Sequence, residues 1–135
     1  TSGNHGFSGD GDTATKATLQ WPSVLTVDRF GNIFICDSSN DRIRKISVNG
    51  EISTIAGNGD QGYSLTSSAV TTTLNSPFGI ALDSLDNIYF TDSWNYVLRK
   101  IDASYHTLTG TPNNSNVGNH VMTFNAEDGN GQRKK

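Results

Sequence analysis

The amino-acid sequence predicts an all-β fold made of two four-stranded antiparallel sheets. The first observation behind this prediction is an internal repeat with a constant spacing of 55 residues. The second is a set of short apolar runs rich in β-forming residues, separated by Gly, Asn, Asp, Ser and Thr. The third is that no apolar pattern with the period of a helix extends over a useful length. Short strands joined by many turns therefore account for the sequence better than helices do.

The repeat is clearest between residues 22–46 and residues 77–101, which align without a gap. Ten of the 25 aligned positions are identical, and most of the others exchange one β-forming residue for another. Upstream, residues 6–8 (Gly-Phe-Ser) match residues 62–64 (Gly-Tyr-Ser) after a gap of one residue. The repeated part extends from about residue 3 to residue 111. Self-similarity of this length indicates a repeat architecture.

Each repeat contains four predicted strands. In the first repeat they are residues 23–28, 32–36, 42–47 and 51–56. In the second repeat they are residues 78–83, 87–91, 97–102 and 107–111. The second strand of each repeat is nearly continuously apolar, which is typical of strands that are buried on both faces. Radial stacking of such sheets buries both faces, so the sequence predicts a partial β-propeller with two four-stranded blades.

The repeat resembles the NHL repeat. The likeness depends on Asp28, residues 32–33 (Asn-Ile), residues 37–40 (Asp-Ser-x-Asn) and residues 44–46 (Arg-Lys-Ile), each of which recurs 55 residues later. The Gly-rich connectors resemble those of the longer variety of this repeat, which occurs in large multi-repeat proteins. NHL propellers usually carry about six blades, so the resemblance implies that this chain is a fragment of a larger ring. The remaining blades or other copies are then needed to cover its open edges.

The resemblance divides the chain into three parts. Residues 1–56 are expected to form the first blade with its leading connector, and residues 57–111 the second blade with its connector. The repeat fails after residue 111, and residues 112–135 have the composition of a loop and a polar tail, with one short strand predicted at residues 121–124.

The resemblance also implies a protein-interaction or scaffolding module with no catalysis of its own. One alternative is a fragment of a metal-dependent propeller lyase or hydrolase of the lactonase type, whose metal is held by side chains from several blades. The three histidines, His5, His106 and His120, fall at unrelated positions of the repeat and have no partner at metal-ligand spacing. The residues therefore predict no metal and no cofactor in this chain.

A second alternative is an RNA-binding NHL propeller. In NHL propellers of translational regulators, basic residues on one face bind RNA, and Arg44 and Arg99 occupy equivalent strand positions here. The formal net charge of −3 argues against binding through phosphate neutralisation. We expect each arginine to pair with a carboxylate of an adjacent turn, and we expect a protein partner rather than nucleic acid. No apolar run approaches the length of a membrane span, about 18 residues.

Six polar residues recur at the turns of both repeats. They are Asp28, Asp37, Asn40, Asp83, Asp92 and Asn95. A ring of carboxylates around a central channel would be the functional interpretation. Because both repeats carry these residues identically, the structural interpretation is favoured, in which each Asp accepts backbone N–H groups of its turn and each Asn tolerates a left-handed backbone.

Two residues depart from the repeat in informative ways. Trp94 stands in the second Asp-Ser-x-Asn turn where the first repeat has Ser39, so it is a candidate contact for a partner. Cys36 is the only cysteine, which excludes a disulfide within the chain, and its place in an apolar strand predicts a small buried side chain.

Overall fold

The computed structural model describes residues 6–64, 66 and 68–103, together with the backbone of residues 121–124. The described residues form eight strands and four short 3-10 turns, with no α-helix among them. The first four strands are β1 (Pro22–Val27), β2 (Ile33–Asp37), β3 (Arg42–Ile46) and β4 (Ile52–Ala56). The second four are β5 (Pro77–Leu82), β6 (Ile88–Asp92), β7 (Val97–Ile101) and β8 (Val121–Phe124).

The strands form two separate antiparallel sheets, in the orders β1-β2-β3-β4 and β5-β6-β7-β8. Equivalent residues pair in equivalent ways: Ile33 lies opposite Ile46, and Ile88 lies opposite Ile101. Each first strand carries an irregularity in the same place, just after its leading proline. The prediction of an all-β chain with two four-stranded, blade-like sheets is thus confirmed.

The fourth strand of the second sheet differs from the prediction. Residues 121–124 take this place and pair with β7, whereas the sequence predicted residues 107–111. Residues 107–111 lie outside the described residues. The single strand predicted at residues 121–124 is present, and it completes the second sheet. The ends of the blades along the chain, at residues 56 and 111, stay predictions.

The second sheet packs against one face of the first, and β5 contacts both β1 and β2. Burial of repeat-equivalent residues shows which face is covered. Ile80 is 9% exposed in the contact between the sheets, whereas its equivalent Leu25 is 60% exposed on the open side of the first sheet. On the other face of the sheets the relation is reversed: Ile43 of the first blade is fully buried, whereas its equivalent in the second blade, Leu98, is 40% exposed. Each blade therefore has two apolar faces, and one face of each is covered by the other blade.

Polar contacts also join the two blades. The Ser38 hydroxyl donates to the carbonyl of Pro77 at 2.5 Å, and the Ser23 hydroxyl donates to the carbonyl of Phe78 at 2.7 Å. The backbone N–H of Ser76 donates to Asp41 Oδ1 at 2.7 Å. These three bonds lie at the end of the sheets where β1 and β5 begin, and they fix the position of the turns at that end.

The connector between the blades approaches the first blade closely at Gly57. This glycine has a left-handed φ of +87°, and a Cβ atom there would lie 2.1 Å from the carbonyl oxygen of Asp41. Its N–H donates to the carbonyl of Ala69 at 3.0 Å. Only glycine fits both the backbone conformation and the space.

Candidate interaction surface

Each blade contains a buried group built from an aspartate, an asparagine and an arginine. In the first blade, Asp37 Oδ1 accepts the N–H of Gln20 at 2.8 Å, and Asp37 Oδ2 accepts the amide of Asn40 at 2.8 Å. Arg44 Nη1 lies 3.3 Å from Asp37 Oδ2, and the side chains of this pair are fully buried. The carboxylate thus neutralises an arginine of β3 and ties the turn after β2 to the connector that precedes β1. Among the described residues it accepts no backbone N–H of its own turn, and the left-handed residue of the turn is Asp41 (φ 50°), not Asn40, so the sequence prediction was wrong on both points here.

The second blade repeats the arrangement. Asp92 Oδ1 accepts the N–H of Asn75 at 2.7 Å, and Asp92 Oδ2 accepts the amide of Asn95 at 2.8 Å. Arg99 Nε donates to Asp92 Oδ2 at 2.8 Å, again with both side chains of the ion pair fully buried. The predicted pairing of each arginine with a turn carboxylate is confirmed. Neither arginine is exposed for contact with nucleic acid in the structure.

An aromatic residue from each leading connector lies against the arginine. The guanidinium carbon of Arg44 is 4.6 Å from the centre of the Phe7 ring, and that of Arg99 is 5.2 Å from the centre of the Tyr63 ring. Such contacts between a cation and an aromatic ring are attractive. The matched Gly-Phe-Ser and Gly-Tyr-Ser segments carry these aromatic residues, so their recurrence was the signal for a contact that the sequence analysis did not identify.

Asp28 and Asp83 lie in the turns that join the first two strands of each blade. Asp28 Oδ1 accepts the N–H groups of Phe30 and Asn32, each at 2.9 Å, and Oδ2 accepts the Asn32 amide at 2.7 Å. Burial opposes ionisation of Asp28, but these hydrogen bonds outweigh it, so its pKa lies below the ordinary value. The Asn87 amide lowers the pKa of Asp83 in the same way.

The opposite end of the blades, where β1 and β5 begin, carries a cleft of about 330 Å³ between the two sheets. Its apolar surface comes from Trp21, Trp94, Phe78 and Pro22. The remaining lining residues are five serines: Ser23, Ser38, Ser39, Ser76 and Ser93. No lining residue carries a charge.

The two tryptophans are the only ones in the chain, and both are strongly exposed at this cleft. Trp21 is 76% exposed and Trp94 is 69% exposed. The sequence analysis singled out Trp94, and the structure brings it to the same cleft as Trp21, which was missed. Trp21 immediately precedes the gapless alignment, which begins at residue 22, so its departure from the repeat went unnoticed.

The tryptophans occupy different positions of the repeat. The equivalent of Trp21 is Ser76, and the equivalent of Trp94 is Ser39. Trp21 and Ser76 share the same left-handed backbone, with φ of 50° and 49°. The N–H groups of Ser39 and Trp94 make equivalent bonds to the carbonyls of Gln20 and Asn75, both at 3.1 Å. Serine therefore satisfies the fold at either position, and the blade architecture requires neither indole.

The family model described as the Teneurin NHL domain matches residues 2–72 of the chain. The chain belongs to the teneurin NHL domain family. The resemblance to NHL repeats that the sequence analysis stated is thereby confirmed.

Several teneurins are similar to this NHL segment. Human Teneurin-4 is 50% identical over 52 residues, which cover 38% of this chain and 2% of the relative. Zebrafish (Danio rerio) Teneurin-3 is 38% identical over 102 residues, and chicken (Gallus gallus) Teneurin-1 is 35% identical over 101 residues. Each of these two matches covers 67% of this chain and 4% of the relative. The chain therefore spans only a few hundredths of the length of these teneurins.

Other candidate residues of the NHL blades have simple surroundings. Cys36 is fully buried in the core between the sheets, and burial raises the pKa of its thiol to about 12.

The three histidines lie outside the described residues. Within residues 6–64, 66 and 68–103, no three His, Cys, Asp or Glu side chains come together as a metal-binding group. No helix in the described part of the chain is long and apolar enough to cross a membrane.

Proposed function

We propose that this teneurin NHL segment is a non-catalytic protein-interaction module and that the Trp21–Trp94 cleft is its contact surface. The observation that carries the proposal is the exposure of both tryptophans in one cleft, at positions where serine would serve the fold equally well. Tryptophan is enriched at the centres of protein interfaces because it combines a large apolar surface with one hydrogen-bond donor. Binding residues are found disproportionately on surface turns that a rigid scaffold positions, and Trp94 lies on such a turn.

We further propose a purely structural role for the six recurring turn residues. Asp28 and Asp83 accept N–H groups of their own turns. Asp37 and Asp92 each accept an N–H group of the leading connector, two residues before the first strand of the blade. Asn40 and Asn95 each donate to the neighbouring aspartate and to a carbonyl of the leading connector. Their hydrogen bonds run inward to the backbone of their own blade, which supports a role in shaping the module rather than in binding.

The open faces of the two blades support a larger assembly. Leu25 and Val27 are exposed on the outer face of the first blade, and Leu98 and Tyr96 on the outer face of the second. We propose that further blades, or other copies of the module, cover these faces in the whole protein, as each of the two blades covers one face of the other.

The proposal is tested by selecting peptides from a displayed random library against the 135-residue chain. Selected peptides are then measured against the variants Trp21→Ser and Trp94→Ser, each of which introduces the residue that the other repeat has at that position. We expect peptides whose binding weakens roughly tenfold or more in either variant. Phe30→Leu is the matched control, because Phe30 is an exposed aromatic residue at the other end of β1 whose repeat equivalent is Leu85. Selected peptides that bind the serine variants as well as the original chain would contradict the proposal.

A further inference from the structure

We infer that the Trp21–Trp94 cleft takes an extended, proline-rich segment of a partner protein. The inference rests on the proposed function and adds the chemistry of the ligand. Two properties of the cleft carry it: the absence of charge and the hydrogen-bonding groups that it leaves unused.

The first property is the absence of charge. The cleft is lined by tryptophan, phenylalanine, proline and serine alone. A phosphorylated, acidic or basic segment would lose water from its charges on entering and would gain no opposite charge in return. The ligand that fits is therefore an uncharged segment with apolar side chains.

The second property concerns hydrogen bonds. Ser23 and Ser38 are already engaged, because each hydroxyl donates its one hydrogen to a carbonyl across the blade junction. The hydroxyls of Ser39 and Ser76 make no hydrogen bond within the described part of the chain, nor do the two indole N–H groups. An indole N–H can only donate, and a hydroxyl donates readily. The cleft thus offers donors to a ligand that brings acceptors.

A proline-rich segment matches this set of donors. Each proline has a backbone carbonyl but no backbone N–H, so the segment presents acceptors without a matching row of donors. Its left-handed polyproline helix is preformed, with three residues per turn and free carbonyls, so that little conformational entropy is lost on binding. Grooves lined by aromatic residues are the known surface for such segments, because proline rings pack flat against them.

A saccharide is the competing neutral ligand, and the cleft suits it less well. Each sugar ring presents several hydroxyl donors as well as acceptors, and neighbouring hydroxyls pair best with a carboxylate or an amide that can engage two at once. The nine residues that line the cleft include no Asp, Glu, Asn or Gln. The volume of about 330 Å³ is at the lower end of the range for ligand pockets, roughly 300–1,000 Å³, and favours a short segment over a larger element.

Intrinsic tryptophan fluorescence provides a direct assay, since both tryptophans of the chain lie at the cleft. The probe is a polyproline peptide of about ten residues, which spans roughly 30 Å as a polyproline helix and so exceeds any site of this size. We expect a saturable change in fluorescence with the original chain. The change should require roughly tenfold or more peptide in Trp21→Ser or in Trp94→Ser, each of which keeps one tryptophan as reporter. Phe30→Leu should titrate like the original chain, and circular dichroism should show the same sheet content in all four proteins.

Three outcomes would overturn the inference. The first is no saturable response to the proline peptide at millimolar concentration. The second is an equal affinity in the serine variants. The third is a response to a neutral tetrasaccharide of N-acetylglucosamine but not to the peptide, which would assign the cleft to glycans. A library selection that yields tryptophan-dependent peptides without proline would leave the proposed function standing while the proline inference fails, so the two failures can be told apart.

Discussion

Stacking of the two blades makes a quantitative prediction about repeat-equivalent residues. Ile80→Ala and Leu25→Ala remove apolar carbons at the same position of the two repeats. Ile80 is 9% exposed against the first blade, whereas Leu25 is 60% exposed. Ile80→Ala removes the equivalent of about three methylene groups, each worth about 0.8 kcal/mol when buried, and leaves a cavity as well. The expected loss in the free energy of unfolding is about 2–5 kcal/mol.

For Leu25→Ala the same groups already lie mostly in water. Less than half of the transfer term is lost and no enclosed cavity is left, so the expected loss is about 1 kcal/mol at most. In a second pair of equivalent residues, the buried member belongs to the first blade and the exposed member to the second. Ile43 is fully buried and Leu98 is 40% exposed, so Ile43→Ala should be the costly change and Leu98→Ala the mild one.

The assay is equilibrium unfolding in urea, followed by tryptophan fluorescence and by circular dichroism. Coincident transitions from the two probes allow the midpoints to be converted into free energies. If the two members of each pair lost the same stability, within about 0.5 kcal/mol, the two sheets would not be packed on each other as the structure shows. A reversal within either pair would mean that the covered faces have been assigned the wrong way round.

Three further predictions concern the turns, the thiol and the connector. The lowered pKa of Asp28 means that its stabilising contribution is present above the ordinary value near 3.8 and is lost as the pH falls through the folded-state pKa. Asp28→Asn should therefore flatten the acid limb of a stability profile measured from pH 2 to pH 7. With its pKa near 12 and no exposed surface, Cys36 should resist a thiol reagent at pH 8 until the chain unfolds, as followed by mass spectrometry. Gly57→Ala should lower the midpoint of thermal unfolding well below that of Gly50→Ala, because both glycines have a left-handed φ but only Gly57 would bring a Cβ within 4 Å of another atom, at 2.1 Å from the Asp41 carbonyl.

Strand positions and their order within each sheet could be predicted from the sequence, because the repeat constrains both. Two copies that align without a gap must place their strands and turns alike, and the register of Ile33 with Ile46 indeed recurs at Ile88 with Ile101. The polar turn residues were found for the same reason. Where two copies are identical, one physical explanation has to serve both.

The sequence prediction placed the fourth strand of the second sheet at the wrong residues, for a physical reason. An edge strand pairs through backbone N–H and C=O groups, so many β-forming segments can fill the place. The repeat no longer constrains the sequence beyond residue 111, and a segment some ten residues further along, residues 121–124, pairs with β7. The 55-residue spacing therefore does not predict where the segment that pairs with β7 begins.

The tryptophan cleft could be predicted only in part. Trp94 stood out because it is the one residue that differs between two Asp-Ser-x-Asn turns of the chain that are otherwise identical. Trp21 could not be found in this way. The cleft joins segments that are far apart in sequence and that meet only when the second blade packs on the first. The exposed fractions of Trp21 and Trp94 follow from that packing and have no counterpart in the pattern of the sequence.

Positions that are identical in the two repeats have a different physical role from positions that differ between them. Identical residues such as Asp37 and Asp92 make bonds that every blade needs, whereas Trp21 and Trp94 appear once each and on different blades. The cleft therefore exists only while the blades are joined, and its lining includes Ser38, whose hydroxyl donates to the carbonyl of Pro77 across the junction. A ligand held by both tryptophans has to favour the joined state over a separated one. Binding must then stabilise the blade junction by mass action, and at a ligand concentration of 100 times Kd the gain is about 2.7 kcal/mol. Ile80→Ala weakens the same junction, so the ligand should restore part of the stability that this variant loses. Addition of Trp94→Ser, which should weaken binding roughly tenfold or more, should reduce this rescue to about half or less at the same ligand concentration.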